Sequence, residues 1–190
     1  MVEEKGRTTN MFTLRLPTTE KAKKNTRTIY LYIWSYFAII ITAYYMNTGD
    51  SKLLIGLSDY MASIIPSING TAAISEHYNY ARFVLVISWC FIVPFYISQV
   101  KNADWDNVKT ENINFLIIAG TLFLIGALWA LTCRVPSNTG SYNRLLYNVI
   151  KSFTFGISIF GFLIWFVPSL LLSSLTIMLV LKVKTLFGRH

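Results

Sequence analysis

Four stretches of this chain contain no Asp, Glu, Lys or Arg: residues 28–49, 83–100, 112–133 and 152–181. They run from 18 to 30 residues and make up nearly half of the 190. A hydrocarbon core ~30 Å thick is crossed by about 20 apolar residues in an α-helix. Helices and closed barrels are the two structures that satisfy every backbone polar group in lipid. Each stretch is therefore long enough to be one span. Charged residues make up 14% of the chain, against roughly 25% in an average globular protein. A water-soluble enzyme domain, a nucleic-acid-binding module and a disordered chain are excluded on these grounds. The expected fold is an all-α integral membrane protein, a four-transmembrane-helix bundle. Its spans fall at about 28–46, 83–100, 113–133 and 153–181, after a basic segment 1–27.

The net charge of +8 is distributed as a membrane protein distributes it. Cytoplasmic flanks of membrane helices keep Lys and Arg. With four spans and both termini cytoplasmic, that side holds twelve basic residues, from Lys5 through Arg27, Lys101, Lys109 and the three at the end, Lys182, Lys184 and Arg189. The other side holds five: Lys52, Arg82, Arg134, Arg144 and Lys151. The reverse orientation would invert the rule. About 27 polar residues precede the first span, which ends in Tyr44, Tyr45 and Met46 rather than in small residues, so it reads as an anchor and not a cleaved signal. Tyr30, Tyr32, Trp34 and Tyr36 near one end, with Tyr44 and Tyr45 at the other, match interfacial aromatic belts.

Between the first two spans, Leu53, Leu57, Tyr60, Met61, Ile64 and Ile65 recur at helical spacing, with Ser58, Asp59 and Ser63 between them. This predicts a helix that lies in the outer interface or caps the bundle and stops before Pro66. The stretch 67–79 reads as polar and turn-forming. Pro94 and Pro168 fall inside the second and fourth runs. Thirty residues at 1.5 Å each is roughly 45 Å, too long for one upright crossing, so the last run is expected to be one long bent helix ending at Lys182. In the third run Gly120, Gly126 and Ala130 are candidates for helix packing. Gly126 and Ala130 stand four apart, the spacing that lets helices approach closely, and a contact within the bundle is favoured over a dimer interface. Cys90 and Cys133 read as separate buried thiols at different depths.

No catalytic constellation is visible. His77 and His190 stand apart, with no carboxylate or cysteine cluster at metal-ligand spacing. Glycine-rich phosphate loops and nucleophile elbows are absent. The spans carry no charged residue of the kind that marks ion pathways and proton relays. The expectation is no enzyme, no metal, no cofactor, no nucleic acid and no small-molecule substrate. The partners are membrane lipid and another protein, met through polar loops.

Several stretches resemble the immunity proteins that protect bacteria from pore-forming colicins of the A and B type. The lysine-rich stretch Glu20 to Asn25 before Ile29, Tyr30, Leu31 and Tyr32 is similar to that family's approach to its first span. Ile65, Pro66, Ser67 and Ile68, followed by Tyr78 and Asn79, resemble a Pro-Ser-Ile segment between its first two spans. The stretch from Arg144 to Ile150 resembles the approach to its last span, and Phe187, Gly188, Arg189 and His190 resemble one family ending. The likeness runs from about Glu20 to the C-terminus. The chain departs from it in residues 1–19, in an acidic loop with Asp104, Asp106 and Glu111, and in a Thr-Ala-Gly loop represented here by Asn138, Thr139 and Gly140.

The resemblance implies a multi-pass bacteriocin immunity protein of the bacterial inner membrane. Its partner would be the inserted pore-forming domain of a cognate colicin, whose channel it keeps from opening. Toxin recognition would then fall on Pro66, Ser67, Asn69, His77 and Tyr78, with Asn138, Gly140, Tyr142 and Asn143 opposite them. Two other readings share the topology: an inner-membrane exclusion or assembly protein of a conjugative or secretion system, and a transporter or channel subunit, which the uncharged spans disfavour.

Overall fold

A computed structural model describes residues 20–45, 52–103, 115–137, 141–152 and 155–187. Within them the chain forms seven helices: α1 (Glu20–Tyr45), α2 (Lys52–Ile64), α3 (Ser67–Ala72), α4 (Tyr78–Lys101), α5 (Phe115–Thr132), α6 (Ser141–Ser152) and α7 (Gly156–Phe187). Three of them, α1, α4 and α7, are long and apolar enough to cross a membrane, and they mark the chain as a membrane protein. The third uncharged run forms α5, whose 18 residues rise about 27 Å.

Helices α1, α4 and α7 are all longer than the uncharged runs that announce them, α4 by starting at Tyr78, five residues before its run. Helix α1 starts at Glu20, eight residues before its run, because Lys21, Ala22, Lys23, Lys24 and Arg27 are all good helix formers. The Thr26 and Thr28 hydroxyls donate back to the carbonyls of Ala22 (3.0 Å) and Lys24 (2.9 Å), so neither competes with the turn. Helix α7 begins at Gly156, three residues after the expected start, and continues past Lys182 to Phe187. Its 32 residues rise roughly 48 Å. It runs unbroken through Pro168, as α4 does through Pro94. The last run is thus one long helix and not a hairpin.

Helices α4 and α7 pack along one another and form the spine of the molecule. Helix α1 lies mainly against α4 and α5 against α7, while α2 and α3 cover one end of α4 and α6 sits beside the start of α7. The centre of the spine is aromatic. Trp165 is fully buried, with the rings of Phe95 (5.0 Å), Phe91 (5.3 Å), Phe162 (5.4 Å) and Tyr36 (5.5 Å) around it. Phe162 and Phe166, one turn apart on α7, stack at 4.8 Å. Such pairs add about 0.5–1.5 kcal/mol each beyond the area they cover.

A small polar node locks the three spanning helices together. The Tyr36 hydroxyl of α1 lies 3.0 Å from Ser88 Oγ of α4 and donates to the Ser158 carbonyl of α7 at 3.1 Å. The Tyr80 hydroxyl of α4 lies 3.0 Å from Ser158 Oγ. Gly161 makes room for the node, since a Cβ there would collide with both Ser88 Oγ and the Tyr36 hydroxyl. Away from it, the Tyr32 hydroxyl donates to the Pro94 carbonyl (3.2 Å), and Tyr96 meets Thr176 (3.0 Å). In lipid such side-chain bonds between helices average about 0.6 kcal/mol. Their value lies in fixing register as well as in energy.

The small-residue positions of α5 contribute nothing to this contact. A Cβ at Gly120 or Gly126 would meet no neighbour within 4 Å, and Ala130 is exposed. The expected close packing inside the bundle is not formed there; α5 meets α7 through other residues and turns these three outward. The two cysteines differ from expectation as well, since both Cys90 and Cys133 are exposed.

Candidate functional site

Among the described residues, the α2–α3 end of the molecule exposes a group of polar side chains that includes Asn69, His77 and Tyr78. Helix α2 ends where the sequence predicts, because Pro66 follows Ile65 directly. Helix α3 was not expected: residues 67–72 form a six-residue helix with Pro66 at its N-cap. Burial overrides the turn signal of Asn69 and Gly70, since Ile68 and Ala72 go into the core with Ser67 and Thr71 beside them. Gly70 sits where a Cβ would collide with the Val135 side chain. The segment after α5 is thereby seated against α3, and the two long connections meet.

Of the residues proposed for recognition, Pro66, Asn69, His77 and Tyr78 are exposed at this end, whereas Ser67 is buried. The Tyr78 hydroxyl donates to Asn69 Oδ1 at 3.4 Å, so these two are brought together. The His77 ring stands edge-on to Tyr44 at 6.2 Å, and its backbone N–H donates to Ser75 Oγ at 3.3 Å. Asn138 and Gly140 lie outside the described residues. Tyr142 and Asn143 fall in the first turn of α6, where their side chains also lie outside the description.

Two features of this end went unread in the sequence. Tyr44 is its hub, packed against Tyr80 (5.3 Å), Phe155 (5.9 Å) and His77; the sequence shows it only as one member of an aromatic belt. The second is an ion pair: an Arg82 guanidinium nitrogen of α4 donates to Asp59 Oδ1 of α2 at 2.5 Å. Arg82 is 9% exposed and its Nε has no partner, so this cation relies on Asp59. The pair is the fastening that holds α2 over α4. A signal existed in Arg82, which directly borders the second uncharged run, and in Asp59, the acid on the helix facing it.

Chemically, this face offers hydroxyl, amide and imidazole groups for hydrogen bonding and aromatic edges for packing. Among the described residues, no three His, Cys, Asp or Glu side chains come together that could hold a metal ion. These groups lie together at the α2–α3 end of the molecule. Comparison with protein-family models, with curated proteins and with solved structures found no match to this chain.

Proposed function

We propose that this chain is a bacteriocin immunity protein of the bacterial inner membrane, which binds the inserted pore-forming domain of a colicin and keeps its channel closed. In this reading α5 is the fourth span, both termini lie in the cytoplasm, and α2, α3 and α6 lie on the outer side. The observation that carries the reading is the pairing of two features. The order of motifs from Glu20 onward resembles that family, and four of the outer-loop residues expected to carry toxin recognition, Pro66, Asn69, His77 and Tyr78, are exposed at one end of the bundle.

The physics of such protection is specific. A voltage-driven toxin gains about 2.3 kcal/mol for each charge moved through 100 mV. A blocker shifts that equilibrium only by its differential affinity for the closed, inserted state over the open one. It must therefore act where the toxin is inserted, in the plane of the bilayer. A bundle without charged residues in its spans offers flat apolar flanks for lateral contact, and the α2–α3 end offers the hydrogen-bonding groups that separate one toxin from another. The positioning elements are the Arg82–Asp59 pair, which ties α2 to α4, and the close approach of Gly70 to Val135, which brings α3 against the segment after α5.

The test is expression of the chain in colicin-sensitive cells challenged with a panel of pore-forming colicins. Survival against one or a few of them is the expected result. Killing by every member of the panel contradicts the proposal, and survival against a nuclease colicin contradicts the mechanism, because no pore is involved there.

A further inference from the structure

Helix α2 exposes large apolar side chains, Ile55, Leu57, Tyr60 (65% exposed) and Ile64, beside the polar Lys52, Asp59 and Ser63, while Ser58 is buried and Asp59 reaches Arg82 of α4. An apolar face of this kind is stable against lipid, as in helices that lie in the membrane interface. Between α2 and the two spanning helices beneath it runs a groove of about 440 Å³. Ile39, Thr42 and Ala43 of α1, Leu54 of α2, and Phe83 and Ile87 of α4 line it. Thr42 alone among these side chains carries a polar atom.

We infer that this groove holds one acyl chain of a phospholipid from the leaflet in which α2 lies. Three observations select that occupant. Water is disfavoured, because an ordered water needs two to four polar partners and the groove side chains supply one hydroxyl. A charged or strongly polar segment is disfavoured, because no charged side chain lines the groove to pair with it. A single hydrocarbon chain is narrow enough, and the outward apolar face of α2 puts one wall of the groove in contact with such chains. The bound chain would fill the space left between α2 and α1, which the Arg82–Asp59 pair by itself does not close. The inference requires membrane placement and is independent of immunity.

The test is native mass spectrometry of the full chain, delipidated in mild detergent and titrated with dipalmitoyl phosphatidylethanolamine. One lipid per chain is expected to bind saturably. Ala43→Trp and Leu54→Trp fill the groove from opposite walls, and each is expected to lower lipid occupancy at least tenfold. Leu124→Trp, on the outward face of α5, is expected to leave it unchanged. If a groove variant fails to fold, judged by its helical circular dichroism, the wild-type chain carries the test. The same lipid with a photoreactive diazirine in its acyl chain is then expected to label peptides of α1, α2 and α4 and not those of α5. Absence of a retained lipid, graded uptake without saturation, equal retention by both folded groove variants, or uniform labelling of α5 would each overturn the inference. No colicin enters the experiment, so its failure leaves the proposed function standing, and the reverse also holds.

Discussion

Helices α1, α4 and α7 and helix α5 share one kind of sequence, yet they are used in different ways. The first three are tied together by the Tyr36–Ser88–Ser158 node and by rings packed around a fully buried Trp165. Helix α5 touches chiefly α7, leaves Phe123 76% exposed, and turns Gly120 and Gly126 into open space. Lipid tails are as apolar as leucine, so no hydrophobic drive holds spanning helices together, and close packing with a few hydrogen bonds must do it. The lesson is that apolarity puts a helix into the membrane, whereas shape and hydroxyl placement decide which helices bind each other there.

That contrast is open to measurement. Trp165→Ala is expected to have the largest effect, about 3 kcal/mol of stability. This is the low end of the range for such truncations, because the side chain is not transferred to water when the bundle opens in detergent or lipid. Phe123→Ala on α5 should stay within about 0.5 kcal/mol. Reversible unfolding in mixed micelles, followed by helical circular dichroism, measures both; equal losses would erase the distinction between spine and flank. Gly161→Leu comes next, at about 1–3 kcal/mol, because the added atoms collide with Ser88 and Tyr36. The matching Gly126→Leu should be tolerated in the isolated chain. If Gly126→Leu destabilises as much as Gly161→Leu, α5 is packed and not free.

Asp59→Ala removes the partner of a buried cation and is expected to cost about 1–3 kcal/mol. Limited proteolysis should then cut α2 faster while α7 stays protected. Unchanged cleavage of α2 would mean that Arg82 does not fasten it. The smallest effect is expected for Tyr36→Phe, which deletes one hydroxyl and keeps the ring. It should cost about 0.6–1.7 kcal/mol, and Tyr45→Phe, at the exposed end of the same helix, should cost nothing measurable.

The three helices long and apolar enough to cross a membrane were legible because charge is costly in lipid, so its absence over 18 to 30 residues leaves a plain mark. Helix α2 was legible from its periodicity, and its end from Pro66. Helix α3 was not, because Ser67, Asn69, Gly70 and Thr71 carry turn signals that burial of Ile68 overrides. The first turns of α1 were hidden for a related reason: lysines favour a helix without giving it an apolar stripe. The close-packing positions were misread for a deeper one. A glycine permits close approach without naming the neighbour, so Gly126 looked like a contact and is open, while Gly161 drew no notice and sits at a tight contact among α1, α4 and α7. The node joins residues 52 and 122 positions apart, a separation at which local pattern says nothing. At the candidate face Pro66, Asn69, His77 and Tyr78 are exposed and Ser67 is buried, while Tyr44 and the Arg82–Asp59 pair emerged only from tertiary contacts.

The most direct measurement of the central claim is potassium efflux from cells carrying this chain in their inner membrane after exposure to a pore-forming colicin. For the cognate toxin, surface binding is expected to match that of control cells while efflux falls to the level of untreated cells. Efflux as fast as in cells lacking the chain, for every pore-forming colicin applied, would contradict the account.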